Sequence, residues 1–490
     1  MKLKSRMRRY RKRLVKGLAL TCCVALLAAS KSPTSLERIK SEGKLTVLSR
    51  NGPTTFYEDA NGNYSGFEYD LLRAFADELR VDLEIRDVDN LENLFDHLVS
   101  GEAHIAAAGL TVTRSRRDQI RFTPSYFETR QQVIYRQGVA RPKSVRDLTG
   151  KTIAVVAGSA HAEELQKLKR RNPELQWAGL PDADAVDLIE SVHNGQYDYA
   201  IVDSSAYSIH RGLFPKAIVG FHLTQFQPLA WALPKSADDS LYREARSFLV
   251  RANDNGLVAE LREKHYGHIT ELNTGGAKTF ARAQSERLPK WQKYLEQAGE
   301  KYNLDWQLLA AVSYQESHWN PRARSRTGVR GLMMLTRATA KEMGVKNRVD
   351  PLQSIEGGAR YFRHLLDSLP DRIREPDRTW LALAAYNVGR GHLEDARVLT
   401  EKLGGNPDKW TDVRDHLPLL AKRQYYRQLK HGYARGWEPV TYVQNIRHYY
   451  TLLSLGTRIE EQRIAKAARE AAEGAVADAN ERENGAIPAL

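Results

Sequence analysis

A chain of 490 residues, 42% hydrophobic and 27% charged, holds enough apolar material for two or three packed cores, which excludes both a small stapled module and a disordered polymer. The formal net charge of +14 would suit a nucleic-acid binder, but Lys2, Lys4, Arg6, Arg8, Arg9, Arg11, Lys12, Arg13 and Lys16 supply nine of those charges. The surplus of five left for the other residues forms no basic stripe, so no nucleic-acid partner is expected.

The basic start runs into thirteen apolar or small residues, Gly17 to Ala29, and then into Ser30, with Ala28 and Ser30 placed as a small-x-small cleavage site. Residues 1–30 therefore read as a secretory signal peptide, since a spanning helix needs roughly 18 or more apolar residues. A retained anchor is the competing reading. The only cysteines, Cys22 and Cys23, lie inside this segment, so cleavage leaves a chain without thiols. Disulfides, thiol catalysis and zinc-thiolate sites are then excluded. Lipid attachment at either cysteine stays open, although Leu20 and Thr21 make a poor lipobox.

From residue 31 to 268, short β-branched runs alternate with helical stretches, which predicts an α/β domain with mainly parallel sheets. Strands are expected at Leu45–Ser49, His104–Gly109, Thr152–Val156 and Tyr199–Val202. A helix ending Val99-Ser100-Gly101 ahead of Ile105 is echoed by Val192-His193-Asn194-Gly195 ahead of Ile201, which implies two similar lobes. Thr274-Gly275-Gly276 marks a linker into a mainly helical domain, taken as residues 269–459. There, Leu288–Lys301, Trp306–His318, Arg337–Met343, Ile355–Leu366 and Thr379–Val388 carry apolar residues at three-and-four spacing. Residues 460–490, rich in Ala and Glu, read as a solvated helix or disordered tail.

In the helix from Trp306, Leu309, Val312 and Ser313 share the face on which Glu316 follows. A carboxyl on a buried face is costly to ionise, so its pKa rises and it can serve as a general acid near neutral pH. From position alone, a helix-end glutamate bonded to backbone or to an arginine is the competing reading.

The wider pattern decides between them. Glu316-Ser317-His318-Trp319-Asn320-Pro321, Ser325, Gly328, Gly331-Leu332-Met333-Met334-Leu335 and Thr339-Ala340 resemble the signature of the lytic transglycosylases that share the goose-type lysozyme fold. Ala384-Ala385-Tyr386-Asn387 with Gly389, and Tyr442-Val443 with Asn445-Ile446, match two further motifs of that family in order. Most relatives carry Gln where Met334 stands, and the type with a fused binding domain carries Met.

The resemblance implies a peptidoglycan lytic exotransglycosylase, a carbon-oxygen lyase that cuts glycan strands with Glu316 as acid and then base. Ser325, Met334, Tyr386, Asn387 and Tyr442 are its implied substrate-side residues. No second carboxylate stands out, since Asp350, Glu356 and Asp367 lie on polar faces or in turns. His318 and His364 lack the spacing of a metal pair, so neither a metal nor another cofactor is expected. A hydrolytic muramidase and a non-catalytic glycan-binding receptor remain the alternatives.

Further upstream, Gly66-Phe67-Glu68-Tyr69-Asp70-Leu71, Leu110-Thr111-Val112-Thr113, Arg116 and Phe122-Thr123-Pro124-Ser125-Tyr126 resemble the amino-acid-binding proteins of ABC transporters. That likeness implies that Arg116 forks onto a ligand carboxylate, that Asp203 receives its amino group, and that Gly158-Ser159 present backbone N–H groups. A solvated run of Arg114, Arg116 and Arg117 is the competing reading. The fold expected is thus a two-lobed, periplasmic-binding-protein-like α/β domain followed by a mainly α goose-lysozyme-like domain. The front part is expected to answer to an amino acid or stem peptide, and the resemblance to the transglycosylases implies a protein of the periplasm held peripherally on the inner face of the outer membrane.

Overall fold

The computed structural model describes residues 33–484 except 53, 59–63, 89, 268, 270–273 and 326–327. The expected leader with Cys22 and Cys23, His268, and the last six residues of the tail lie outside the described residues.

Two five-stranded sheets form the front part, and each is built in the same way. In the first lobe Lys44–Ser49 lies between Asp82–Asp87 and Ile105–Ala106, all parallel, and Ala232–Pro234 and Ile120–Phe122 complete the sheet. In the second, Ala178–Leu180, Ile153–Val156 and Tyr199–Asp203 run parallel, followed by antiparallel Gln131–Arg136 and Ala217–His222. The sequence echo corresponds to the helices Leu91–Val99 and Ala185–Asn194, each feeding a middle strand of its sheet. The chain leaves the first lobe through Phe127–Thr129 and returns through Gln227–Leu229, and these two crossings pair antiparallel as a double strap.

Two expectations shift in detail. The strand predicted over His104–Gly109 shrinks to Ile105–Ala106: at its start the His104 ring takes up the Thr46 amide at 3.0 Å, and at its end Gly109 turns left-handed (φ 64°) and gives its amide to Glu68. The predicted linker Thr274-Gly275-Gly276 is instead the first turn of the helix Thr274–Glu286. Phe280 of that helix is fully buried among Tyr314, Trp319 and Tyr449, and this tertiary packing overrides the poor helix propensity of two glycines.

Helices build the rest of the described chain, and Trp306–Ser317 runs through their centre. Leu308, Leu309, Ala310, Ala311, Val312, Ser313 and Tyr314 are all buried in it, so the helix is enclosed on every side. Its start is fixed by Asp305, whose side chain accepts from the Gln307 amide at 2.8 Å. Its end is fixed by two consecutive left-handed residues, His318 (φ 51°) and Trp319 (φ 55°). Neither side chain favours that backbone. The reversal is held because Trp319 turns back into the core, 1% exposed, and its indole N–H donates to the Ala310 carbonyl at 2.9 Å.

A single helix, Trp437–Asn484, closes the structure and passes position 460 without a break. Val443 and Ile446 on it pack into the same core as Leu309 and Val312. Farther along, it lies against both front lobes. Arg447 donates to Glu263 and Gln462 to Asn51 of the first lobe, while Arg463 pairs with Glu190 of the second.

Candidate active site

Glu316 sits in the last turn of the central helix, one residue before the buried Ser317 and three before the buried Trp319. It is half-buried, so the carboxyl is largely stripped of water without being sealed in. Burial pushes its pKa from 4.5 up to about 7, against the opposing pull of a hydrogen bond from the Tyr442 hydroxyl, 2.6 Å from Oε1. No cation among the described residues pairs with this carboxyl. The three other acids that could act beside it are engaged: Asp350 caps a helix at the Gln353 amide, Glu356 pairs with Lys301 and Arg360, and Asp367 pairs with Arg363.

Tyr442 comes from the long closing helix and Tyr386 from the helix Asp377–Val388. Their rings lie nearly parallel, 6.4 Å apart at 11°, and Tyr361 packs against Tyr386 at 5.2 Å. Burial holds both phenols far above their ordinary pKa, and the neighbouring Glu316 charge adds to this. They therefore act as neutral donors. Tyr386 donates to the Met333 carbonyl at 3.0 Å, which places it as a support of the next segment.

That segment, Gly331–Leu335, is pinned by hydroxyl groups. Ser313 and Ser317 both donate to the Leu332 carbonyl, at 3.3 and 2.9 Å, and the Met333 amide donates to Ser354 at 3.1 Å. Met334 is held at φ 45°, a strained backbone for a branched-free but bulky side chain, and it remains partly accessible. Gly331 cannot be replaced, since a Cβ there would lie 1.9 Å from the Arg348 carbonyl oxygen. Arg348 in turn donates to Gly328 and Leu335 carbonyls at 3.2 and 2.8 Å, and the Ser325 hydroxyl accepts from Val329.

Among the residues singled out from the sequence, Glu316 and Tyr442 are thus in direct contact, Tyr386 joins them through its ring on Tyr442, and Met334 follows the Met333 carbonyl that Tyr386 holds. Asn387 follows Tyr386 and is exposed, and Ser325 shapes the neighbouring turn. Sequence reading missed Ser354, Tyr361 and Arg348, which carry no signal of their own because they act on backbone or on another ring.

A second site lies between the front lobes, in a cavity of about 150 Å³ lined by Phe67, Thr111, Arg116, Ser159, His161 and Asp203 among others. Arg116, Ser159 and Asp203 therefore do meet. The Ser159 hydroxyl donates to the Val156 carbonyl and caps the helix Ala160–Lys169, and its amide points to Val156 at 3.4 Å. Beneath the cavity floor Glu68 is fully buried, accepts from the Tyr126 hydroxyl and from the Gly109 amide at 2.9 Å, and is raised by burial to about 7.

Residues 293–408 match the family described as Transglycosylase SLT domain, and residues 45–268 match Bacterial extracellular solute-binding proteins, family 3. The fold and these matches define a solute-binding module fused to a transglycosylase. Membrane-bound lytic murein transglycosylase F of Saccharophagus degradans is 53% identical over 453 residues, covering 92% of this chain and 90% of its own. The proteins of the same description from Cellvibrio japonicus and Pseudomonas syringae pv. syringae are 46% and 47% identical, over 90% and 92% of this chain and 89% and 90% of theirs. The chain belongs to the membrane-bound lytic murein transglycosylase F family, and is a lytic transglycosylase. The arginine-bound form of truncated ArgBP from T. maritima is 27% identical with a TM-score of 0.40, over 44% of this chain and 98% of its own.

Proposed function

We propose that this enzyme cleaves the β-1,4 bond between N-acetylmuramic acid and N-acetylglucosamine in peptidoglycan and leaves a 1,6-anhydromuramic end. Glu316, protonated near neutral pH, gives its proton to the glycosidic oxygen as the bond breaks. The substrate's own acetamido group supports the anomeric centre in place of a second protein carboxylate. The resulting Glu316 carboxylate, held by the Tyr442 hydroxyl, takes the proton of the muramic carbon-6 hydroxyl while that oxygen closes onto the anomeric carbon. One group thus serves twice. A hydrolase of the ordinary kind requires two carboxyls flanking the bond.

The observation that carries this reading is one desolvated carboxyl raised to about 7, whose hydrogen-bond partner among the described residues is a phenol. Mass spectrometry of digested sacculi tests it. Anhydro ends, lighter than reducing ends by one water, are expected; reducing ends would mean a muramidase, and no release would mean a receptor.

The front part is proposed to regulate the enzyme by lobe closure around an amino acid or stem peptide. Arg447, which holds the Glu263 side chain at 3.1 Å and its carbonyl at 2.9 Å, lies five residues from Tyr442 on one helix, about 7.5 Å along its axis. A ligand acts through such a link only if it prefers one arrangement of the lobes. Adding stem peptide to the full chain is expected to change the rate of anhydro-end release.

Membrane attachment, on the inner face of the outer membrane, is proposed as peripheral. No helix among the described residues is long and apolar enough to cross a bilayer.

A further inference from the structure

Of the two charges expected to read a ligand in the front cleft, Arg116 is already hydrogen-bonded within the chain, while Asp203 has the His161 ring beside it, its Oδ1 making no hydrogen bond among the described residues. Arg116 reaches across from the first lobe into the second, where its Nε donates to Glu163 Oε1 at 2.7 Å and one terminal nitrogen donates to the Gly158 carbonyl at 3.0 Å. The guanidinium is 9% exposed and also lies over the Phe95 ring at 4.8 Å. The other Glu163 oxygen accepts from the Ser115 hydroxyl at 2.6 Å, so this carboxylate is bound on both oxygens by the opposite lobe. Two residues earlier on the same helix turn, His161 places Nε2 3.3 Å from Asp203 Oδ1.

The chemistry of these two contacts is that of a zwitterion: a carboxylate on the guanidinium and a nitrogen base on the carboxylate. One turn of helix, starting at the buried cap Ser159, delivers both.

We propose that Glu163, assisted by His161, is a built-in surrogate for the ligand's carboxylate and ammonium, so that free amino acids must displace it and bind weakly. This rests on the reading of Arg116 and Asp203 as the ligand-reading charges. A tethered competitor acts at a high fixed local concentration, so it lowers the affinity of every carboxylate ligand by a common factor. It also bridges the lobes without any ligand, through Arg116 and Ser115 on one side and Glu163 on the other.

Titration calorimetry of the full chain and of Glu163→Gln, with L-alanine, L-leucine, L-arginine and L-leucinamide, tests the proposal. The variant keeps the side chain's size and removes the competing charge. At least about tenfold tighter binding of the three acids is expected, with no gain for L-leucinamide, which lacks the carboxylate. Ser115→Ala, which frees one Glu163 oxygen, should give a smaller gain of the same kind and serves if the first variant melts early. Equal affinities in native chain and variants overturn the surrogate while leaving a ligand cleft in place. A gain shared by L-leucinamide also overturns it, and the absence of heat from every pairing sinks both the surrogate and the ligand-reading role of Arg116.

Discussion

Two carboxyls in this molecule are pushed by burial to the same value of about 7, one in each half, and they differ in what surrounds them. Glu68 is sealed beneath the front cleft with two donors on it and 1% exposure. Glu316 ends a helix, is only partly buried as a residue, and has Tyr442 as the one donor to its carboxyl among the described residues. A raised pKa marks burial in both; only an accessible oxygen makes the proton transferable. The front cleft adds a third case, where Arg116 and Glu163 are desolvated together and quench each other.

Substitutions can break this comparison. Glu316→Gln should lower anhydro-end release by roughly a thousandfold or more, as removal of a general acid and base does; retained release would shift the chemistry to another acid. Tyr442→Phe should cost about 10- to 100-fold, the worth of a hydrogen bond to a charged group. Because that bond lowers the Glu316 pKa, its loss should also move the alkaline limb of the rate profile to higher pH. In the native enzyme the rate should fall as pH rises through about 7, where the acid is spent.

Stability offers a smaller effect with a defined sign. Folded Glu316 holds a proton that the unfolded chain releases near 4.5, so the native state loses stability as pH climbs from there through about 7. Glu316→Gln should therefore be more stable than the native chain at pH 8, by on the order of 2 kcal/mol, and so melt at a higher temperature there, with little gain at pH 4. Thermal melts at both pH values check this. Smallest of all, Glu68→Gln should change release less than about threefold, since that carboxyl only supports the cleft floor; a large loss would mean the two halves are coupled through it.

Much of this was legible beforehand because it depends on short-range pattern. Leu309 and Val312 marked the Glu316 helix as a buried one, although it is enclosed on every side and not along a single face, and the paired helix-strand units revealed two lobes. What escaped depends on residues distant in the chain. Glu163 lies 47 positions from Arg116, and nothing in either neighbourhood signals that they meet. Ser354 works through one hydroxyl on the Met333 amide, 21 residues away. Thr274-Gly275-Gly276 read as a linker because glycine propensity is local, whereas the packing of Phe280 that winds it into helix is not.

The left-handed pair His318 and Trp319 ties the carboxyl's chemistry to the seating of one ring. The indole N–H bonds the Ala310 carbonyl and holds the end of the helix on which Glu316 stands. A variant whose helix end came loose and let water onto the carboxyl would let its pKa fall back toward 4.5, leaving it ionised in neutral surroundings with no hydrogen to donate.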